Sequence, residues 1–391
     1  ICACLVGSEM CIRDSTYAEG YCESQHMTCG SGLGYRAYKE YLSRLKNVKY
    51  MTATLEDRFS ESATILPDDG RPEIKTVSKG VDADFFKVYE FEFLKGKPFT
   101  AIDVDDARLV AVISDRLADR LFGSPEAAMG REVNLENTYY RVAGVVREGS
   151  NLTDKSFAQI YVPLTTRPDY DRTSCDYEWL GGIKLAIVTE DKEQERALHA
   201  EIADMLRRVN SMDTTWTVKI DNQPVTHIES VFRTYNNIDF SWIDILKEYG
   251  IILFALLLIP AMNLSGMIAG RMETRLPEMG IRKSFGATRR TLMHQVLLEN
   301  FYMTFAGGIL GLIASWLVIF VNRNWIFSLL SKSSYITLSP VDTHVTGEML
   351  FAPLVFVITL LLCMGLNLLS AYIPVRWALR HPIVSSLNEK R

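Results

Sequence analysis

The sequence predicts an α+β extracytoplasmic domain followed by an all-α transmembrane bundle of three helices. Three observations carry this. Charge is divided, with 30 Lys and Arg against 41 Asp and Glu in residues 1–250, but 12 against 6 in the remaining 141. Long charge-free runs occur only in the second part, and the first part instead alternates short strand-like and helix-like apolar periods. The chain as a whole has 391 residues, 48% hydrophobic, at net charge −5. That composition excludes a disordered chain, a collagen-like repeat and a basic nucleic-acid binder, so no nucleic-acid partner is expected.

In chain order the expected divisions are 1–15, 16–245 and 246–391. Ile1–Ser15 reads ICACLVGSEMCIRDS, is out of character with the rest of the chain, and resembles translated adaptor read-through. It is expected to stand outside the fold. Five of the seven cysteines (Cys2, Cys4, Cys11, Cys22 and Cys29) fall within the first 29 residues, while Cys175 and Cys363 stand apart. No C-x₂-C pair occurs, so no metal site is expected, although Cys22, His26 and Cys29 are ligand-type residues close together. A Cys22–Cys29 disulfide is open outside the cell.

Tyr35–Leu45 places Tyr38, Tyr41, Leu42 and Leu45 on one helical stripe, and the next segment, VKYMTATLEDRF, alternates as a strand does. In LVAVISDRLADRLFG a buried strand, Leu109–Ile113, is followed by Ser114 as N-cap, a helix carrying Leu117 and Leu121, and Gly123 as its stop. REVNLENTYYRVAGVV reads as two strands joined at 136–138. GIKLAIVT is a strand, DKEQERALHAEIADMLRRV an amphipathic helix and TTWTVKI another strand. No G-x-S-x-G, H-E-x-x-H or phosphate loop occurs. His199, His227 and His344 are isolated, and Asp103, Asp105 and Asp106 lack the Gly and distal Glu of a calcium loop, so they are expected to form a solvated turn. No catalytic residue and no cofactor are assigned to this chain.

Gly250–Gly270, Asn300–Asn322 and Met349–Val375 contain no Asp, Glu, Lys or Arg. As helices they are roughly 30 to 40 Å long, which matches a hydrocarbon core, and spans at about 249–270, 300–322 and 349–375 are expected. Buried helices of a soluble core are usually shorter and keep a polar stripe. Pro260, Asn263, Pro353 and Asn367 suggest kinked or helix-facing positions, and Gly307, Gly308 and Gly311 offer a small-residue face. Segment 271–298 carries Arg271, Arg275, Arg282, Lys283, Arg289 and Arg290 against Glu273 and Glu278, so it is expected on the cytoplasmic side. The tail, with Arg376, Arg380, Lys390 and Arg391, is expected there too. The balanced loop 323–348 and the acidic domain then lie on the other side. A domain of that size needs a signal or a preceding helix to cross the membrane, so a further N-terminal helix is expected to precede this sequence.

Within 271–298, Leu276–Phe285 is expected as a short amphipathic helix with Pro277 in its first turn and Arg282 and Lys283 near its negative end. Gly286 should stop it and Thr288 should cap the next helix. Such a helix suits docking of a soluble partner. Anchoring to anionic lipid is the other reading.

The string EMGIRKSFGATRRTLMHQVLLEN resembles the signature of the FtsX-like, or MacB-like, permease family of ABC transporters. Its matching positions are Glu278, Gly280, Ile281, Arg282, Lys283, Gly286, Ala287, Gln295 and Glu299. The ending IPVRWALRHPIVSSL (Pro374, Arg376, Pro382) and the segments 80–100 and 110–146 are similar to the same family, which covers roughly 80–387. The resemblance implies a four-helix permease half, of which three helices are found here, inserted in the bacterial inner membrane. It implies a separate ATP-binding subunit carrying ATP and Mg, a second copy or related permease, and a periplasmic or outer-membrane partner. The chain itself would not be an enzyme. It would pass ATPase motion to the outer domain (mechanotransmission), for export or extraction of a peptide, lipoprotein or antibiotic-like molecule. Glu278, Met279, Gly280, Ile281, Arg282, Lys283, Phe285, Gly286 and Ala287 are the residues expected to contact the ATPase. The alternatives are a membrane-tethered sensor with a ligand-binding outer domain and an intramembrane enzyme. The latter needs ionisable residues that the three runs lack.

Overall fold

The computed structural model describes residues 11–15, 18–22, 26–55, 63–67, 70–149, 155–220, 223–226, 229, 241–322 and 353–378. The chain divides into two compact units between Phe240 and Ser241. The first unit begins with β1 (Cys11–Ser15), β2 (Ala18–Cys22), β3 (Met27–Leu33), α1 (Tyr35–Glu40), β4 (Tyr50–Leu55), β5 (Ala63–Ile65), β6 (Ile74–Thr76) and β7 (Ser78–Val81). It continues with α2 (Phe85–Val88), β8 (Phe93–Gly96), α3 (Ala101–Asp105), β9 (Val110–Ser114), α4 (Asp115–Phe122), α5 (Pro125–Ala128), β10 (Glu132–Leu135), β11 (Thr138–Val146) and β12 (Ile160–Pro163). The last elements of the unit are β13 (Thr173–Ser174), β14 (Tyr177–Gly181), β15 (Ile183–Thr189), α6 (Lys192–Met212), β16 (Trp216–Lys219) and β17 (Val225–Thr226).

One mixed sheet passes from β15 through β4, β7, β12 and β9 to β11, with β7–β12 and β9–β11 parallel and the other neighbours antiparallel. β16, β2 and β3 form a smaller antiparallel sheet. Alternation along the central strands separates two apolar clusters. Val112 and Tyr161 join Phe85, Phe86, Leu180 and Leu185 on one side, and Ala111, Ile113, Ile160 and Val162 join Leu117, Leu135 and Val142 on the other. The sheet is therefore buried on both faces here, which is why VAVI and IYV are continuous apolar runs.

The β9–α4 unit forms as its sequence predicts. Ser114 Oγ accepts from the Leu117 N–H, and Gly123 ends the helix at φ +84°, a left-handed conformation that glycine tolerates without a Cβ clash. Ser114 Oγ also donates to the buried Glu148 carboxylate at 2.8 Å. The β10–β11 hairpin turns on Glu136 and Asn137, both at positive φ, as a two-residue hairpin of matched twist requires. β15, α6 and β16 also occupy their predicted segments, with Asp191 capping α6.

Three expectations change. Cys29 is bonded to Cys175, 146 residues away, so it is joined neither to Cys22 nor available as a metal ligand beside it. The pairing arises because β3 meets the β14 strand, a tertiary fact with no local sequence signal. Cys11–Ser15, expected outside the fold, pairs with β15 and β17; edge pairing is made by backbone groups and does not depend on side-chain character. The stripe at 35–45 is helical to Glu40 and then tightens into a 3₁₀ turn, Leu42–Arg44, where Ser43 Oγ donates to the Lys39 carbonyl. The acidic group at 103–106 lies at the surface as expected, at the end of α3 and in the turn after it, where Asp103 closes a capping box with Thr100, Arg108 pairs with Asp103 and Asp106, and Lys39 pairs with Asp105. His227 and His344 lie outside the described residues.

A buried carboxylate joins three elements of this unit. Asp82 accepts from the Tyr38 hydroxyl at 3.0 Å, the Thr52 hydroxyl, the Ala53 N–H at 2.7 Å and the Phe85 N–H at 3.1 Å. Burial pushes its pKa from 3.8 up to about 6, against the lowering effect of these donors.

The second unit holds α7 (Trp242–Ser284), α8 (Arg289–Val321) and α9 (Pro353–Ala378). Among the described residues α8 is the one helix long and apolar enough, by length and composition, to cross a membrane, and Phe356–Tyr372 within α9 is a shorter apolar stretch. Residues 323–352 and 379–391 lie outside the described residues. Gly308 permits a close approach of α9, since a Cβ there would stand 2.6 Å from Leu360 Cδ1, whereas Gly307 and Gly311 have nothing within 4 Å. Asn367 faces α8 and donates to Thr304 Oγ1, while Asn263 is exposed.

The separate helix expected at Leu276–Phe285 is instead the end of α7, which runs unbroken for 43 residues. Pro277 sits in its interior. One proline removes a single backbone bond, no glycine interrupts 271–276, and the Thr274 hydroxyl donates back to the Arg271 carbonyl instead of capping a new helix start. Met272 and Met279, two turns apart on either side of Pro277, are both buried in one cluster with Leu292 and Val296 of α8 and Ala371 and Val375 of α9. That packing holds the helix through the proline.

Candidate functional site

The site is built where α7 turns into α8. Phe285 ends α7, Gly286 comes next at φ +92°, and its N–H donates to the Lys283 carbonyl while the Ala287 N–H donates to that of Arg282, both at 3.0 Å. This pair of bonds is a Schellman closure, and it needs the left-handed residue that glycine supplies. Thr288 Oγ1 then accepts from the Thr291 N–H and caps α8. The tip is therefore a tight corner of four residues, Phe285–Thr288.

The nine residues predicted to contact a partner separate into two groups. Met279 is 7% exposed and Gly280 is buried, so both face inward. Glu278 and Arg282 are engaged with each other at 2.6 Å, and Arg282 also donates to Gln295 Oε1 of α8 at 2.9 Å. These four residues organise the helix pair. Ile281 is half exposed and Phe285 is 88% exposed, and Gly286 lies beside them at the surface. Lys283 and Ala287 are half-buried; burial, with the Arg289 charge next to it, lowers the Lys283 pKa. Arg289 and Arg290 are exposed on the first turn of α8. The tip is thus an apolar point with a cationic surround.

A pair absent from the predicted set completes the site. Arg275 donates to Glu299 through both Nη atoms, at 2.5 and 2.7 Å. Together with Glu278, Met279, Arg282, Leu292, Gln295 and Val296 it lines a groove between α7 and α8. One signal was in the sequence: Gln295 and Glu299 are one turn apart, and Arg275 and Arg282 two turns apart, as bridging residues of two facing helices must be. What it lacked was the partner assignment across 13 and 24 positions.

Among the described residues no group of three or more His, Cys, Asp and Glu side chains could hold a metal ion. What the site offers is a stiff protrusion with an aromatic end.

Known proteins resemble both units. Residues 24–205 match the MacB-like periplasmic core domain, and residues 250–383 the FtsX-like permease C-terminal domain. The ABC transporter permease YvrN of Bacillus subtilis (strain 168), itself uncharacterized, is 26% identical over 251 residues, 61% of this chain and 56% of YvrN. The pyoverdine export ATP-binding/permease protein PvdT of Pseudomonas syringae pv. tomato is 25% identical over 60% of this chain and 34% of PvdT. The macrolide export ATP-binding/permease protein MacB of Salmonella paratyphi A is 25% identical over 64% and 37%. The chain therefore spans between a third and just over half of these relatives. Among solved structures, the periplasmic region of MacB from Actinobacillus actinomycetemcomitans is similar at 15% identity and TM-score 0.36, covering 58% of this chain and 95% of that one. The extracellular domain of the transporter YknZ is similar at 19% identity and TM-score 0.32, covering 52% and 100%.

Proposed function

Because the chain belongs to the ABC transporter permeases that carry a MacB-like periplasmic core domain and an FtsX-like permease domain, we propose that it converts ATP hydrolysis on a separate ATP-binding chain into motion of its extracytoplasmic domain. In this reading the chain crosses the inner membrane at about 249–270, 300–322 and 349–375, with the α7–α8 corner in the cytoplasm. It works as a pair with a second copy or a related permease. Names of relatives favour an exported cargo, here a peptide, lipoprotein or antibiotic-like molecule.

The observation that carries the reading is the exposed Phe285 on a corner closed by the Gly286 and Ala287 backbone bonds and the Thr288 cap. An aromatic anchor on rigid backbone suits insertion into a pocket of a soluble partner, and Arg289 and Arg290 beside it would orient that partner by charge. α7 also continues from this corner to Trp242, where the first unit's sequence ends. A push at Phe285 therefore travels along one helix of about 65 Å.

Purification in mild detergent tests this. An ATP-binding protein should copurify and hydrolyse ATP, and Phe285→Ala should lower permease-dependent hydrolysis while leaving membrane insertion unchanged. A purified chain with no ATPase, but with a ligand on the outer domain, would instead be a membrane-tethered sensor.

A further inference from the structure

Resting on that reading, we infer that Arg275 and Glu299 are the positioning pair that makes α8 follow α7, so that force taken up at the corner reaches both helices. At this level α7 and α8 share a buried apolar cluster with α9, formed by Met272 and Met279 of α7, Leu292 and Val296 of α8 and Ala371 and Val375 of α9, and are bridged directly by a polar layer, Arg275–Glu299 and Arg282–Gln295. Apolar side chains resist separation but permit sliding and rotation, because dispersion has no direction. The guanidinium–carboxylate fork is planar and two-pronged, and it defines both distance and angle.

The pair also stands at a mechanically suited height. Glu299 directly precedes the charge-free run that starts at Asn300, and Arg275 lies just beyond the run that ends at Gly270, so the fork lies at the base of the corner where the two helices leave the membrane. Arg282 stands two turns from Arg275 toward the corner, and it reaches Gln295, one turn from Glu299 toward the same corner. The two bridges therefore brace α7 and α8 at two heights. Both partners of the fork are close to half exposed, and an exposed ion pair contributes little to net stability. Its effect should accordingly appear in coupling, with little change in folding.

The test uses the permease in complex with its copurifying ATP-binding chain, in lipid nanodiscs. Arg275→Glu and Glu299→Arg singly should lower permease-dependent ATP hydrolysis at least tenfold while the ATP-binding chain stays bound and the unfolding temperature is unchanged. The double exchange should restore it. Arg275→Lys keeps the charge but loses the fork, and should fall between. In parallel, spin labels at Ser284 and His294 should give a narrow distance distribution in the wild type and the double variant, and a broad one in each single variant. Single variants as active as wild type, or Arg275→Lys fully active, would overturn the inference and leave the functional reading standing. Loss of the bound ATP-binding chain from the single variants would also overturn it, by making the pair part of the docking surface. A wild-type chain that binds no ATPase removes the functional reading and this inference together.

Discussion

Met279 and Phe285 lie six positions apart at the end of α7 and have opposite surroundings: Met279 is buried in the apolar cluster shared with α8 and α9, whereas Phe285 is almost wholly in solvent. A helical offset of that size places them on different faces. The segment EMGIRKSFGA thus contains a packing residue and a contact residue, with different consequences when altered.

Met279→Ala leaves a cavity in the layer formed with Leu292 and Val296, and should destabilise the second unit by about 2–4 kcal/mol. Phe285→Ala removes no packed contact and should leave the thermal midpoint in detergent unchanged while reducing partner-dependent ATP hydrolysis. Equal loss of stability in both variants would show that Phe285 is covered by the chain itself.

The Cys29–Cys175 bond closes a loop of 146 residues. Constraint of the unfolded chain by a loop of this length is worth up to about 5 kcal/mol, so Cys175→Ser should lower the unfolding midpoint in oxidising buffer and have no effect under reduction. Non-reducing peptide mapping should recover the fragments around Cys29 and Cys175 as one species. Recovery of a Cys22–Cys29 species would contradict the pairing. A stable bond of this kind also agrees with an oxidising compartment for the first unit.

Asp82 gives a pH dependence with a defined sign. Its pKa is about 6 in the folded chain against the ordinary 3.8, so between these values the native state holds more protons than the unfolded one. Stability from this group therefore rises as pH falls from about 6 to about 4, and declines as pH rises through 6. Asn does not titrate, and its amide would leave the Ala53 N–H facing another donor, at a cost of about 1–3 kcal/mol. The penalty of Asp82→Asn, measured by denaturation of the full chain, should be larger at pH 5 than at pH 7. The reverse order would mean that the four donors outweigh burial.

Gly308→Leu should separate α8 from α9, because Leu360 occupies the space a side chain would need. Overpacking of this kind costs about 1–3 kcal/mol, whereas Gly311→Leu, with open space around it, should be neutral. Protease sensitivity in detergent checks both, and equal sensitivity would place a helix against Gly311 as well.

Local pattern determined a good deal of this protein by itself. The β9–α4 unit, the β10–β11 turn, the Asp191 and Thr288 caps and the Gly286 stop each depend on groups within a few residues of one another, where capping and turn chemistry is decided. Two kinds of feature were settled by tertiary structure. The end of α7 is one: a proline in a plausible first-turn position reads as a helix start, but burial of Met272 and Met279 in one layer outweighs the single backbone bond it removes. The partners of Cys29, Arg275 and Arg282 are the other, since they lie 146, 24 and 13 positions away. A disulfide or an ion pair across two elements depends on where the packed backbones bring the side chains, and composition along the chain carries no record of that separation.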